Sequence, residues 1–253
     1  MIHSIIVTGE GVTDLGVSAS GVAVAENEDI LVGPMLKVIY KLIREYAPGW
    51  FVDMHDWNAV IPIPTYLVSR TERARVSRTL RPNLFQTHLH GKGGIEHSKS
   101  AWALATIAGE RNATLAIYFH DTDGTLSVLR RMPDLQEIIS GATKRGFAVA
   151  AKVSGVAMVP KPTSEAWLIC HAKEDAYSFC QLLETDLAGN QDSAMRSPKD
   201  ILKGLRGETN RELLNEIVDE MDLNRLDMPS FNSFKESLRQ AVNEIFGVHH
   251  PVR

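Results

Sequence analysis

The stretch TLAIYFHDTDG, Thr114 to Gly124, decides the fold. Its first six residues are β-favouring and apolar without alternation, the pattern of a strand buried on both faces. It stops at a turn rich in Asp and Gly. The same signature stands at the start of the chain, where Ile2 to Thr8 runs into Gly9-Glu10-Gly11. Phe147 to Val159 reads as a further strand. Helical patterns separate these runs. Pro34 opens one, carrying Met35, Val38, Ile39, Leu42 and Ile43, and Pro48-Gly49 stops it. Ser98 can cap a second, with Trp102, Leu104, Ala105 and Ile107. Pro133 begins a third, with Leu135, Ile138 and Ile139, closed by Gly146. Pro160 to His171 turns into a fourth around Trp167, Leu168 and Ile169. Doubly buried strands alternating with helices predict an α/β fold, a parallel sheet with helices on both faces.

The rest is less regular. Residues 12–33 are small and polar and read as a loop. Trp50 to Val68 holds Pro62 and Pro64, so a strand there is expected to be broken or at an edge. Residues 69–97 are polar, basic and dotted with glycine. After Glu174 the pattern is helical only. Ser197-Pro198-Lys199-Asp200, Thr209-Asn210-Arg211-Glu212 and Ser233-Phe234-Lys235-Glu236 each fit a cap with an acid three residues on. The expected organisation is an α/β domain over 1–173, with insertions at about 12–33 and 50–97, and a helical C-terminal appendage over 174–253.

Composition sets the outer limits. With 253 residues, 44% hydrophobic and 23% charged, the chain is an ordinary globular sequence, which excludes disorder, collagen-like repeats and disulfide miniproteins. A formal charge of −4 excludes a wholesale basic nucleic-acid binder, but the charge is uneven. Thr65 to Lys99 holds seven basic residues against two acidic, whereas Glu174 to Arg253 holds fifteen acidic against nine basic. No stretch approaches the ~18 apolar residues of a membrane span, and the N-terminus reads as a strand, not a signal peptide. Cys170 and Cys180 read as buried small apolar residues in a reducing compartment. A cytoplasmic protein is expected.

Three carboxylates occupy strand ends. Glu10 follows the first strand, and Asp121 and Asp123 follow TLAIYF. In an open parallel sheet the C-terminal strand ends form the ligand crevice, so neighbouring strands would bring the three together. Clustered carboxylates repel, and a hard cation such as Mg²⁺ relieves that repulsion while arriving with phosphate. The plainer alternative is that Asp-x-Asp-Gly is a turn whose Asp bonds its own backbone. Glu165 is a candidate further metal ligand, or simply an acid favouring the first turn of a helix. Lys161, with Lys152, could neutralise a phosphoryl centre, or be surface lysine.

Gly9-Glu10-Gly11-x-Thr13-Asp14 after a first strand, with Asp121-x-Asp123 after a later one, resembles the TOPRIM domain of topoisomerases, primases, OLD-family nucleases and recombination-repair proteins. The resemblance covers roughly residues 1–170. Pro160 to Leu168, Ser197-Pro198-Lys199 and Pro229-Ser230-Phe231 are similar to segments of small stand-alone TOPRIM-like, OLD-nuclease-related bacterial proteins. It implies a Mg²⁺-dependent (or Mn²⁺-dependent) phosphodiester enzyme, a nuclease acting on DNA or RNA. Catalytic positions would be Glu10, Asp121 and Asp123, with metal held by Glu10, Asp121, Asp123 and Glu165; Lys161 joins the catalytic set on its charge alone. It also implies an alternative, a non-catalytic nucleic-acid-binding or regulatory subunit of an ATPase partner. The chain carries no GxxxxGK[ST] loop of its own.

A rival stands beside it. DTDGTL, Asp121 to Leu126, matches the first motif of haloacid-dehalogenase-type phosphatases, in which the first Asp is the nucleophile. That fold needs a later strand ending in a second acidic pair, and Asp219-Glu220 sits in a helical pattern instead. The basic stretch offers Arg70, Arg73, Arg75, Arg78, Arg81 and Lys92 to a phosphate backbone, with a solvated charged face as the alternative. His88, His90 and His97 lack a regular zinc spacing.

Overall fold

In β1 (Ile5–Thr8), Ile5 and Val7 point into one hydrophobic cluster and Ile6 into another, and all three are fully buried. Strand geometry sends successive side chains to opposite faces, so β1 must be covered twice. The same split recurs in β6 (Leu115–Phe119): Leu115, Ile117 and Phe119 share the cluster of Val7, and Ala116 and Tyr118 that of Ile6. The structure, a computed structural model, describes residues 3–11, 13–48, 63–81, 85, 92–122, 135–150, 153–187 and 197–246.

Among these, five strands form one sheet in the order β3 (Val24–Glu26), β5 (Thr65–Val68), β1, β6, β7 (Ser154–Met158). β5, β1, β6 and β7 run parallel, and β3 is antiparallel to β5 at the edge. The α/β class with a mostly parallel sheet between helical layers is therefore present. Helix α1 (Pro34–Tyr46) covers the Ile5 and Val7 face, and α3 (Lys92–Arg111) covers the Ile6 face. The chain moves outward from β1 to β5 and then crosses to β6 on the other side. The crevice at this reversal lies beyond the C-terminal ends of β1 and β6.

Several local expectations need correction. Residues 12–33 are not a plain loop: β2 (Gly16–Ser18) pairs with β4 (Ile30–Val32), and β3 joins the main sheet. β5 is interior, not broken or at an edge. Pro64 stands one residue before it, where no ladder donor is needed, and its carbonyl accepts the Ile5 amide at 2.9 Å. The basic region holds α2 (Arg70–Ser77), capped by Ser69, whose Oγ accepts the Glu72 amide. Ser98 does not cap α3 but lies within it, donating to the Ala142 carbonyl of α4 (Leu135–Ala150) at 2.7 Å. Gly146 does not end α4. A side chain there would collide with the Ser98 carbonyl, so the glycine sets the close approach of α3 and α4. The third strand is consequently shorter than Phe147 to Val159. Pro133 lies outside the described residues.

Beyond β7 the chain forms α5 (Ser164–Ala172), a short α6 (Leu183–Asp186), α7 (Pro198–Arg206), α8 (Arg211–Glu220) and α9 (Pro229–Phe246). Asn210, not Thr209, caps α8, accepting the Leu213 amide, and Ser233 lies inside α9. These helices share the core of the sheet: Phe231, Phe234 and Leu238 of α9 belong to the cluster of Ile5, Val156 and Trp167. Trp167 Nε1 donates to Ser230 Oγ at 2.9 Å. Lys41 of α1 donates to the carbonyls of Val218, Asp219 and Met221, a cation on the carbonyl end of α8. Cys170 and Cys180 are buried as expected, yet they form a disulfide instead of standing as free thiols, with Cα atoms 5.4 Å apart. No described helix is long and apolar enough to cross a membrane.

Candidate functional site

Parallel pairing of β1 with β6 fixes where their ends lie. Thr8 is in register with Tyr118, so Glu10 and the His120-Asp121 segment leave the sheet at the same edge. The edge is stitched downward to the next strand: His120 N donates to Met158 O at 3.0 Å and Thr122 N to Pro160 O at 3.1 Å. Asp123, the second acid of the pair, lies outside the described residues, as does Lys152.

Glu10 and Asp121 have different hydrogen-bond partners. Glu10 Oε2 lies 2.7 Å from His120 Nε2, while His120 Nδ1 lies 2.6 Å from the Asp121 carbonyl oxygen. Both ring nitrogens thus lie within hydrogen-bond distance of an oxygen. The His120 hydrogen bond, ahead of opposing desolvation, holds the Glu10 carboxyl below its ordinary value, helped by the charge of Arg70. His97 packs edge-on to His120, with ring centroids 4.4 Å apart, and its Nδ1 lies 3.1 Å from the Tyr118 hydroxyl. Burial, then the neighbouring His120, lowers its pKa to about 4. His88 and His90 lie outside the described residues.

Asp121 turns the other way. Its Oδ1 accepts the Ser164 amide at 2.9 Å. That amide is the first of α5, whose formal cap Thr163 makes no side-chain cap bond, so Asp121 fills the anionic position at the helix N-terminus. Ser164 Oγ donates to Asp14 Oδ1 at 2.9 Å. One serine therefore links two carboxylates from separate strand-end loops. Asp14 stands on the tight segment after β1, and its carbonyl accepts the Met35 amide at the start of α1. Gly11 runs against the Asp14 carboxylate so closely that a side chain there would overlap it. Burial first, then the charge of Glu165, pushes the Asp14 pKa up against the Ser164 hydrogen bond.

Glu165 is the second acid of this inner group. It sits in the first turn of α5, 7% exposed. Its Oε1 lies 3.7 Å from Lys199 Nζ, and its Oε2 is buried without a hydrogen-bond partner. A buried carboxylate oxygen with no donor is costly. Among the described residues no three of His, Cys, Asp and Glu come together as ligands of one ion. The orphaned oxygen of Glu165 and the repulsion it shares with Asp14 nevertheless suit a cation there.

The remaining candidates separate. Lys161 lies near Glu184, whose pKa burial pushes up against the Ser230 hydrogen bonds and, last, the charge of Lys161; the lysine beside the acids is Lys199. Arg73 is not a phosphate contact. It is 8% exposed and donates to the Gly9 carbonyl at 3.0 Å, lying over the Tyr118 ring, so it holds the Glu10 loop from beneath. Arg75 pairs with Glu72 at 2.6 Å. Arg70, Arg78 and Arg81 are exposed, and the side chain of Lys92 lies outside the described residues. Asp219 is engaged by Lys37 and Glu220 by Arg206 and His171. Sequence reasoning missed Asp14, Ser164 and Lys199 as site residues, and His120 as the partner of Glu10. Compared with protein-family models, curated proteins and solved structures, the chain has no match.

Proposed function

We propose that this chain is a Mg²⁺-dependent phosphodiester hydrolase, a nuclease acting on DNA or RNA, in keeping with the TOPRIM resemblance of its motifs. The observation that carries the reading is the pairing of Asp14 with Glu165, whose buried Oε2 lacks any donor. Two desolvated acids at the C-terminal edge of a parallel sheet are a poor structural device and a good cation seat. Asp14 and Glu165 would hold the ion, with Asp121 beside them through Ser164. A bound Mg²⁺ supplies an activated water and charge stabilisation at phosphorus. Glu10, kept ionised by His120, is the available proton acceptor at the rim. Lys199, 60% exposed, can move from Glu165 to a phosphate oxygen. Arg70 offers a second cation across the crevice.

The test is cleavage of end-labelled single- and double-stranded DNA and RNA with Mg²⁺ or Mn²⁺, comparing wild type with Glu165→Gln. Metal-dependent cleavage lost in the variant is expected. Tight, salt-sensitive binding with no cleavage under any metal would replace the reading with that of a binding subunit.

A further inference from the structure

Beside Glu10 lies a cavity of about 400 Å³, and the hydrolytic reading makes no use of its apolar lining. It is bounded by the ends of β1 and β5, by the 16–22 turn, and by the first residues of α2. Its size falls at the small end of the roughly 300–1,000 Å³ of ligand pockets. Its walls divide by chemistry. Leu15, Val17, Val22 and Leu67 give an apolar slot, and Val22 stays 49% exposed although apolar. The lining also includes Arg70 and Thr71 at the start of α2, where the Glu72 amide is already taken by Ser69 Oγ. Arg70 makes no hydrogen bond or ion pair among the described residues.

The slot is held open by its own framework. Asp29 accepts from Ser18 Oγ at 2.7 Å and from the Ser20 amide at 2.8 Å, and Ser18 Oγ accepts the Val22 amide at 3.0 Å. Gly16 and Gly21 take positive φ, 121° and 77°, so the turn bends away from the sheet. Buried Arg73 anchors the Gly9 carbonyl on the far wall. Affinity therefore need not cover the ordering of a loop.

We propose that this cavity takes one unpaired nucleotide, its base in the apolar slot and its phosphate between Arg70 and the start of α2. The proposal rests on the phosphodiester reading and narrows it to substrates that can present an unstacked base. A base has apolar faces and polar edges, which fits apolar walls interrupted by glycine backbone. A phosphate-only site would have no use for Leu15, Val17, Val22 and Leu67, and an apolar ligand none for Arg70. Duplex DNA keeps its bases stacked, so entry requires unstacking and single strands enter first.

The experiment is titration of the full chain with AMP and dAMP in EDTA, followed by calorimetry and ligand-observed NMR. Ribose 5-phosphate, inorganic phosphate and adenosine serve as fragments. Working without metal separates the pocket from the hydrolytic centre: nucleotide binding without any cleavage under Mg²⁺ would sink the nuclease reading and leave the pocket. Saturable binding of a mononucleotide, at least tenfold tighter than any fragment, is expected. Val22→Trp, which fills the slot from an exposed rim, should weaken it at least tenfold with an unchanged circular dichroism spectrum. Arg70→Gln should bring the nucleotide down to the affinity of adenosine. Equal binding of AMP and inorganic phosphate, binding unmoved by Val22→Trp, or no saturable binding would each overturn the proposal.

Discussion

The two sides of the sheet edge handle negative charge in opposite ways. Glu10 is 45% exposed, hydrogen-bonded by His120, and held in its ionised form. Asp14, half-buried, and Glu165, buried, lie one loop away, mutually repelling and served by one hydroxyl and one distant, exposed lysine. The protein supplies its own counter-charge to the first and leaves the second short of it. The contrast teaches where to look for a bound cation. An acid with internal partners is already at rest, whereas a pair without them is stabilised by whatever positive charge arrives.

The sharpest way to break the contrast is to neutralise each side in turn. Asp14→Asn and Glu165→Gln should each cut metal-dependent cleavage by about 100-fold or more, since they remove charge from the cation seat. Without metal, the same changes should leave melting temperature unchanged or raise it, because repulsion and desolvation are both relieved. In wild type, Mg²⁺ should raise the melting temperature by mass action, and in Glu165→Gln it should not. Glu10→Gln should show the reverse profile: a lower melting temperature without metal and a retained Mg²⁺ shift. Scanning calorimetry with and without Mg²⁺ reads all of this. Loss of the Mg²⁺ shift only in Glu10→Gln would move the cation seat to the outer side.

Arginines of α2 sharpen the same division between structural and solvent-facing charge. Arg73→Leu removes donors from the Gly9 carbonyl and should cost about 2–4 kcal/mol of stability by chemical denaturation. Arg78→Ala and Arg81→Ala, both exposed, should change stability by less than about 0.5 kcal/mol. If they track a phosphate backbone, each should flatten the dependence of log affinity on log salt by about one unit. An unchanged slope in the double variant would make them a solvated face.

The residues themselves explain which parts of this were legible in sequence. β1 and β6 could be read because both faces are buried, so every residue from Ile5 to Val7 and from Leu115 to Phe119 is apolar or aromatic. β2, β3 and β4 have three residues each, too short to show a period. Gly146 reads as a stop in one dimension and as a contact in three, because its neighbour is Ser98 of another helix. Glu10, Asp121 and Glu165 could be picked out because acids at strand ends and helix starts have a stated chemistry. Asp14 could have been found from its spacing to Glu10 had the loop been known to double back onto α1. Lys199 could not, since only tertiary packing of α7 on α5 carries it to Glu165.

The smallest effect concerns His97, and it tests whether the outer side is as self-sufficient as its geometry indicates. Burial and the adjacent His120 depress its folded-state pKa to about 4, against the ordinary imidazole value near 6.5. Between those values the unfolded chain binds a proton that the folded chain does not, so stability rises with pH across the window. The contribution is complete above about pH 6.5 and is lost as pH falls toward 4. His97→Phe keeps the ring against His120 and removes the titration, so its stability should depend less on pH between 4 and 6.5 than that of wild type. Chemical denaturation at half-unit pH steps measures the slopes. Ring-nitrogen NMR should show His97 neutral at pH 5.5 in the folded chain. A His97 ring that charges near pH 6.5 would mean that the ring is hydrated in solution, against the burial that depresses it here.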